Sequence, residues 1–476
     1  MLATEQPSRQ NRRATIGSVF FAGRRPTPWW TILVLAILAG TYTNLALNVG
    51  TLLYGFIPLI GGGLLFLKHL RANTPMIRFL AYLLLICIVV DLGSVSFPLD
   101  WIELVQSTLL LVASVVAGLG LFSELRTWNG KALESVLAMT VVIVLVLACL
   151  EAYTPFAQVS NAAREVLYAA DGQFLYSSDE RDMFLHGTVR PKVFTQEPSH
   201  PAKYLAVAIT AWFLVSTRRQ KLLISFALFT LGAFVLRSPS LIAGPIFVAY
   251  FSALGADGES SLKQASARLC ALVFCAASFF TLPNWVGLFP GERSAEIAQE
   301  LDASSIIRLL GPLEIATEIL KEQPLFGVGI GGKQYAWETM LDVYALFPVM
   351  KIERFYLMAD AGWGNAFFQF IAYCGIAGGA AFLWWLAALS KKHIVKDWPS
   401  MFFVFFVVFN VDGAFNIVRP WAYFFLIASA YHVSVRDRTS GNGQTREVPV
   451  AAAPDPKGTP LRDVRQRLVG TRAGVA

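Results

Sequence analysis

Long apolar blocks separated by short polar segments run along most of the chain, and they predict membrane-spanning helices. A helix needs about 20 apolar residues to cross roughly 30 Å of hydrocarbon, and the blocks come near this length. The predicted spans are Trp30–Leu47, Leu52–Leu67, Phe79–Val95, Ile102–Phe122, Leu133–Tyr153, Tyr204–Val215, Leu222–Leu236, Leu241–Leu254, Leu269–Val286, Ala366–Leu389, Met401–Asn416 and Ala422–Val433. The pattern therefore predicts an all-α fold, a polytopic membrane helix bundle with about twelve transmembrane helices.

The basic residues of the short loops fix the orientation of this bundle. With the N-terminus inside, Lys and Arg concentrate in the cytoplasmic loops, as the positive-inside rule requires. These residues include Arg24, Lys68, Arg126, Arg218 and Lys391. The short outward loops hold Arg237 and Arg419. We therefore expect a protein of a bacterial inner membrane with both termini in the cytoplasm.

Two outward loops are long, at about 154–201 and 287–362. Channels and carriers usually trim such loops, whereas an enzyme that works on the outer face needs them to build a site. The predicted organisation is a cytoplasmic N-terminal segment at 1–28, a transmembrane domain at 29–435 with these two periplasmic loops, and a disordered cytoplasmic tail at 436–476. The larger periplasmic loop is expected to contain interfacial helices.

The composition agrees with a protein whose main solvent is lipid. Of the 476 residues, 55% are hydrophobic and 15% are charged, and the mean hydropathy is +0.54. In a soluble chain the net charge of +7 would favour nucleic-acid binding, but here the topology accounts for the basic residues. All 5 cysteines lie in predicted spans, so disulfides, thiol catalysis and cysteine-based metal sites are not expected.

A charged, proline-rich stretch ends the first long loop and enters the sixth predicted helix. Residues 190–204 read RPKVFTQEPSHPAKY and place Arg190, Lys192, Glu197 and His200 at the membrane boundary. Charged groups are costly to bury there without partners, so these residues are candidates for function. The prolines would hold them at a fixed depth.

The second long loop contains an amphipathic segment followed by a glycine-rich turn. Ala303–Gln323 is predicted to be an interfacial helix, because apolar and acidic residues occupy different faces. Pro324 ends this helix and begins the sequence PLFGVGIGG. Its glycines permit a tight turn whose backbone is open to an anion, although glycines alone indicate only a loop.

These segments resemble the O-antigen ligase and polymerase superfamily in their order and sidedness. The similarity covers residues 190–389. It includes the Arg190 stretch with Glu197, the Arg237-Ser238 pair at an outer helix end, Arg308 before PLFGVG, and the helix that opens with WGNAFFQF. The order and sidedness of all four motifs together carry the resemblance.

The resemblance implies a metal-independent glycosyltransferase whose donor is a glycan on undecaprenyl diphosphate. Arg190 and Arg308 are then expected to hold the diphosphate, since Arg presents a permanently charged fork to phosphate oxygens. Glu197 and His200 are the candidates for the general base. The candidate substrate-binding residues are Arg237, Lys192, Gly327, Gly329 and Asn365. No cofactor and no metal are expected, and the expected partners are lipid-linked oligosaccharides, the bilayer, a chain-length regulator and a flippase, without nucleic acid.

One departure from the superfamily favours a polymerase. Its ligases carry a His near the start of the helix after the large loop, whereas this chain has Gly364-Asn365 there and no His from 287 to 362. We therefore expect the polymerisation of repeat units, as in Wzy-type polysaccharide polymerases. Transfer of a finished glycan to a lipid A core or to a protein is the alternative.

Other interpretations of these residues stay open. Arg190 and Arg308 also suit snorkelling side chains or loop ion pairs at the interface, and Arg237 also suits a helix-end anchor. Asn410 and Asp412 lie inside a predicted span, where polar residues are functional candidates or helix–helix hydrogen-bond partners. Twelve spans also suit a flippase or another transporter, but carriers are expected to show paired repeats and broken or charged helices.

Overall fold

The computed structural model describes residues 27–49, 52–169, 175, 182–183, 189–253, 306–347 and 363–444. Fourteen α-helices lie within these ranges. They are α1 (Pro28–Thr43), α2 (Phe56–Lys68), α3 (Leu70–Gly93), α4 (Trp101–Leu125), α5 (Gly130–Tyr153), α6 (Phe156–Ala169), α7 (Ser199–Val215), α8 (Lys221–Leu236), α9 (Ala243–Ala253), α10 (Gly311–Glu322), α11 (Lys333–Ala345), α12 (Ala366–Leu389), α13 (Trp398–Val411) and α14 (Val418–Gln444). The predicted span Leu269–Val286, most of the predicted N-terminal segment and most of the predicted tail lie outside the described residues.

The helical fold class predicted from the sequence is confirmed. Within the described ranges, four helices are long and apolar enough to cross a membrane: α3, α4, α5 and a segment that extends α12 through a short π-helix, Ala366–Ile394. The other apolar helices in the described part of the chain are shorter, and the count of about twelve spans stays a prediction. The chain forms two compact units, Met1–Ser434 and Val435–Ala476. In the second unit, Arg436 Nη2 lies 2.9 Å from Asp437 Oδ1.

A two-stranded antiparallel hairpin separates the first two helices. Strand β1 (Leu47–Val49) pairs with strand β2 (Leu52–Tyr54). The predicted spans over this region are therefore too long, because α1 ends at Thr43 and α2 begins at Phe56. Asn44 ends α1 with a left-handed φ of 52°. Hydropathy did not reveal this hairpin, since its strands are as apolar as the helices that flank it.

Glycines allow α2 and α4 to pack with their backbones almost in contact. A Cβ on Gly62 would lie 2.6 Å from Ala117 Cα, and a Cβ on Gly120 would collide with the carbonyl group of Gly62. Small residues at a helix crossing are typical of membrane proteins, where close packing replaces the hydrophobic effect as the source of helix association. This crossing holds together the N-terminal part of the bundle.

Helix α12 is broken near its middle. Gly375 has φ 62° and ψ −171°, far from helical values. The loop after α10 fills the break, because Ile376 N donates to Pro324 O at 2.8 Å and Ala377 N donates to Leu325 O at 2.9 Å. The freed backbone groups are thus satisfied by another segment, as a helix break in a membrane requires. The apolar pattern of this helix gave no sign of the break.

Helix α6 and the end of α5 hold the segment that leads into α7. Arg164 Nε donates to Thr195 O at 2.6 Å, and Arg164 Nη2 donates to Gln196 O at 2.9 Å. The carboxylate of Glu151 accepts hydrogen bonds from the backbone N–H groups of Lys192 at 2.8 Å and Val193 at 2.6 Å. These contacts fix the backbone just before Glu197. The first long loop is therefore an ordered platform where it meets α7.

Candidate functional site

A row of polar residues at the start of α7 forms the first wall of the site. Glu197, His200 and Lys203 follow one another at intervals of three residues, so they share one side of the helix entry. His200 Nε2 lies 3.2 Å from Glu197 Oε1, and Lys203 Nζ lies 3.8 Å from the same oxygen. Ser199 Oγ also donates to this carboxylate. Pro201 stands in the first turn, where its missing N–H costs nothing.

Arg308 faces this row from the second long loop. Its Nη2 lies 3.6 Å from Glu197 Oε2. The side chain of Arg308 is 37% exposed and that of Glu197 is 26% exposed, whereas His200 is only 6% exposed. The arginine and the carboxylate are therefore the members of this group that a ligand reaches first.

A buried ion pair between α13 and α14 packs against this row of residues. Arg419 Nε donates to Asp412 Oδ2 at 2.8 Å, and Arg419 Nη2 donates to Oδ1. Lys203 Nζ lies 3.9 Å from Asp412 Oδ1, which joins this pair to the residues on α7. Asp412 is fully buried and Arg419 is 5% exposed. Such a charge is retained inside a protein only where its partner is fixed, so this pair braces the site.

Asn365 ties Arg308 to α12 and α13. Its side-chain oxygen caps α12 by accepting hydrogen bonds from Phe367 N at 3.0 Å and Phe368 N at 3.1 Å. Its Nδ2 donates to Arg308 O at 3.1 Å and to Asn410 Oδ1 at 3.1 Å. One buried side chain thus sets the position of the Arg308 backbone relative to two helices.

The charges of this cluster leave a surplus of positive charge. Two carboxylates, Glu197 and Asp412, face the cationic side chains of Lys203, Arg308 and Arg419. Burial by itself would raise the pKa of Glu197. The hydrogen bond from His200 and the charges of His200, Arg308 and Lys203 outweigh burial and hold this pKa well below its ordinary value. The arrangement suits an anionic ligand that approaches the exposed edge at Arg308.

His200 contacts both Glu197 and Arg419 through one ring nitrogen, and its other ring nitrogen is buried. Glu197 Oε1 and Arg419 Nη1 both approach its Nε2, at 3.2 Å and 2.9 Å. A neutral imidazole nitrogen either donates or accepts, so Nε2 serves one of these neighbours at a time. In the part of the chain that the structure describes, Nδ1 has no hydrogen-bond partner. A guanidinium can only donate, so the shorter contact favours a neutral ring whose Nε2 accepts from Arg419 and whose Nδ1 carries the proton.

The family comparison bears on what such a cluster does. Residues 31–417 match the model of the WcaD colanic acid polymerase family. The chain belongs to that family. The predicted resemblance to Wzy-type polysaccharide polymerases is confirmed, and with it membership in a group of membrane proteins of polysaccharide biosynthesis. No curated protein matches the sequence significantly.

The colanic acid polymerase match covers most of the cluster. Glu197, His200, Arg308 and Asp412 lie inside the matched range, and Arg419 lies just beyond its end. Members of a polymerase family join repeat units into a polysaccharide, which indicates a glycosyltransferase-like enzyme that acts on lipid-linked oligosaccharides. The substrate sugar and the side of the membrane are matters for a proposal.

Arg190 is the other arginine that the sequence predicted to bind the donor diphosphate. It has a carboxylate partner of its own, Asp182. Its Nε lies 2.8 Å from Asp182 Oδ1, and its backbone N–H donates to Asp182 Oδ2 at 3.2 Å. Arg308 pairs instead with Glu197. The structure thus gives the two arginines separate partners within the same pair of loops, and a shared role stays a prediction.

Lys192 and Arg237 were also predicted to bind substrate. The structure shows a backbone hydrogen bond for each of them. Lys192 is buried, and its backbone N–H binds Glu151. Arg237 ends α8 with a left-handed φ of 47°, and its N–H donates to Ala233 O at 3.0 Å. Substrate binding by either residue stays a prediction.

The glycine-rich turn packs against α12. Several of its backbone N–H groups bind other parts of the protein and are not open to an anion. Gly327 and Gly329 have φ values of 59° and 85°, as the turn requires. The N–H of Gly329 donates to Tyr373 O at 3.0 Å, and the N–H of Ile330 donates to Asp91 Oδ1 at 2.7 Å. These contacts explain the glycines by close packing. A role for Gly327 and Gly329 in binding substrate stays a prediction.

Lys203 and Arg419 were not among the residues predicted to act at the site, and Asp412 was a candidate only as a polar residue inside a predicted span. The signal for Lys203 was its three-residue spacing from His200. Asp412 stood out as a polar residue inside a predicted span, but nothing in the sequence paired it with Lys203. Arg419 was noted only as a basic residue of a short outward loop, because its pairing with Asp412 becomes visible only when α13 and α14 are placed.

Proposed function

We propose that this chain polymerises lipid-linked oligosaccharide repeat units at the periplasmic face of a bacterial inner membrane. The donor is a glycan on undecaprenyl diphosphate, and the acceptor is the terminal sugar of another carrier-linked glycan. Membership in a polymerase family supports the reaction class. The observation that carries the assignment of the site is the partly exposed Arg308–Glu197 pair, set against the buried His200.

In the proposed reaction, a hydroxyl oxygen of the acceptor forms a bond to the anomeric carbon of the donor. The bond between that carbon and the diphosphate oxygen breaks, and the carrier diphosphate leaves with the electron pair. Arg308 binds the departing diphosphate, because its guanidinium is permanently charged and offers two parallel N–H donors to phosphate oxygens. Stabilising charge that develops in the transition state is a major contribution to catalysis.

The proton of the attacking hydroxyl goes to the Glu197 carboxylate in this proposal. Glu197 is 26% exposed, whereas His200 is 6% exposed and its Nδ1 is buried. His200, Arg308 and Lys203 hold the pKa of Glu197 well below its ordinary value against the effect of burial, so the carboxylate is ionised at neutral pH and can accept the proton. Burial and the charge of Arg419 lower the pKa of His200 to about 4, so the buried imidazole has no advantage as the base.

The remaining cations support a reaction without a metal ion. Lys203 and Arg419 add positive charge behind Arg308, so the cluster offers the diphosphate the compensation that a divalent ion offers in other transferases. We propose that Arg190 contributes from the first long loop, where Asp182 fixes its Nε. Elongation by the purified protein should then persist in excess chelator, and loss of elongation restored by a divalent ion would argue against this part.

The test is to incubate the purified protein with a lipid diphosphate oligosaccharide and separate the products by size. A polymerase gives a ladder that advances by whole repeat units. A product shifted by a single transfer to a lipid A core or a protein would identify a ligase instead. Translocation of single units by intact protein, without any new glycosidic bond, would identify a flippase.

A further inference from the structure

A pocket lies between α3 and the last turns of α12, at the opposite end of α12 from Asn365. Its volume is about 510 Å³. Four aromatic side chains and two lysines line it: Phe79, Tyr82, Trp384, Trp385, Lys391 and Lys392. No residue of the Glu197 cluster belongs to this lining.

The apolar part of the pocket consists of a buried aromatic ring, Trp385, and two exposed ones, Trp384 and Tyr82. Trp385 is buried, and its Nε1 donates to Phe79 O at 2.6 Å, which joins α12 to α3. Trp384 is 69% exposed and Tyr82 is 54% exposed. Exposed aromatic rings at the end of a membrane helix are typical of the interface between hydrocarbon and headgroups.

The polar part of the pocket is cationic. The π-helix Ser390–Ile394 carries Lys391 and Lys392, and Lys392 Nζ lies 5.7 Å from the centre of the Phe79 ring. Both lysines are exposed, and in the described ranges neither forms an ion pair with a carboxylate. His393 lies on the same turn with its ring 5.1 Å from that of Phe79. The pocket therefore offers positive charge without a negative partner from this part of the chain.

The position of the pocket along the membrane-spanning helix places its lysines at the level of the lipid headgroups. Ala366–Ile394 is long and apolar enough to cross a membrane, so lysines at its end reach the headgroup layer. The sequence pattern predicts that this end is cytoplasmic. Basic pockets between membrane helices on that side are suited to anionic lipid headgroups, because the cytoplasmic leaflet is rich in them.

We propose that this pocket binds one anionic phospholipid. Lys391 and Lys392 hold the phosphodiester of the headgroup, and an acyl chain lies along Trp384 and Tyr82. This site is separate from the glycan site, and the proposal does not depend on the polymerase mechanism. The acyl chain of a neutral or zwitterionic lipid fits the aromatic wall equally well. The preference for an anionic lipid therefore comes from Lys391 and Lys392.

Native mass spectrometry of the purified full-length protein tests this selection. The protein is exchanged into detergent that contains equal amounts of phosphatidylglycerol and phosphatidylcholine with the same acyl chains. We expect wild-type protein to retain phosphatidylglycerol at least about tenfold over phosphatidylcholine, which corresponds to about 1.4 kcal/mol. The variant K391Q/K392Q should lose this preference. The control K131Q/K396Q removes two exposed lysines outside the pocket and should keep it.

Two further arms complete the test. Trp384→Ala should lower the retention of both lipids, because it removes the apolar wall and leaves the charges. Inorganic phosphate at millimolar concentration should leave lipid retention unchanged, whereas displacement by phosphate would indicate a site for a free anion. Equal retention of the two lipids by wild-type protein, or a preference that survives in K391Q/K392Q, would overturn the proposal.

Discussion

Arg308 Nη2 lies 3.6 Å from Glu197 Oε2, and the two residues come from different long loops. Both side chains are partly exposed, whereas the ion pair of Asp412 and Arg419 in the same cluster is buried. The exposed pair is available to a ligand, and the buried pair holds its surroundings in place. Substitutions in the two pairs should therefore have different consequences.

Asp412→Asn should destabilise the protein strongly. It leaves the Arg419 guanidinium buried without a charged partner, which costs about 3–5 kcal/mol at comparable sites. We expect a clear fall in the unfolding midpoint of the purified protein in detergent. The double variant D412N/R419M should recover part of the loss, because it removes the orphaned charge.

The surface pair of Glu318 and Lys321 is the control for this prediction. Lys321 Nζ lies 2.6 Å from Glu318 Oε1, and both side chains are largely exposed. Glu318→Gln should leave the midpoint unchanged, since exposed pairs contribute little. A midpoint for Asp412→Asn equal to that of wild type would show that the buried pair does not brace the bundle.

Asn365→Ala should affect elongation more than its effect on stability explains. The substitution removes the cap of α12, a loss of about 1 kcal/mol, and also releases the Arg308 carbonyl. Asn129 is a matched control, because its side chain caps α5 by accepting from Ala132 N at 2.7 Å. Asn365→Ala should have the lower unfolding midpoint, because it also leaves the acceptors of Arg308 and Asn410 unpaired, and at a temperature where both variants are folded only Asn365→Ala should elongate slowly. Equal elongation by both variants would count against a positioning role for Asn365.

The stability contributed by the Glu197 carboxylate should depend on pH in a defined window. His200, Arg308 and Lys203 lower the folded-state pKa of Glu197 against the effect of burial. A group of this kind stabilises the fold above its unfolded pKa, near 4.3, and the contribution is lost as the pH falls through the lower folded pKa. The difference in unfolding midpoint between wild type and Glu197→Gln should therefore be constant from pH 6 to pH 8 and shrink below about pH 4. A difference that grows toward low pH would have the wrong sign.

Gly375→Ala should disrupt the break in α12. Its φ of 62° disfavours a side chain, and a Cβ there would lie 2.5 Å from the Leu325 carbonyl carbon. We expect a loss of about 1–3 kcal/mol in unfolding free energy, measured by denaturant titration in micelles. Gly63→Ala is the control, because nothing lies within 4 Å of a Cβ at that position of α2. That variant should be neutral or slightly stabilised, since Ala is the better helix former.

The sequence revealed the long apolar helices and part of the site. Predicted spans at Leu133–Tyr153 and Ala366–Leu389 agree closely with α5 and α12, because a helix in lipid must be apolar over its whole length. Glu197 and His200 stood out because charge at a membrane boundary needs partners. Arg308 was found through the family resemblance, and the structure brings it to Glu197.

The missing parts depend on contacts between distant segments. Neither Gly375 nor Asn44 reveals from local sequence that it interrupts a helix, because the reason lies in the loop after α10 for Gly375 and in the hairpin after α1 for Asn44. In the sequence, Arg419 is a basic residue of a short outward loop, and only the structure pairs it with Asp412. The pattern of apolar residues predicts which positions of a single helix avoid water. The break at Gly375, the end of α1 at Asn44 and the Asp412–Arg419 pair depend instead on which segments contact each other.

The most direct test of the proposed site is the elongation rate of purified Arg308→Ala protein on a lipid diphosphate oligosaccharide. Lys321→Ala removes an exposed cation from the same loop and serves as the control. We expect Arg308→Ala to elongate at least about 100-fold more slowly than wild type, with an unchanged unfolding midpoint, while Lys321→Ala elongates normally. A ladder from Arg308→Ala that grows at the wild-type rate would contradict the assignment of this arginine to the carrier diphosphate.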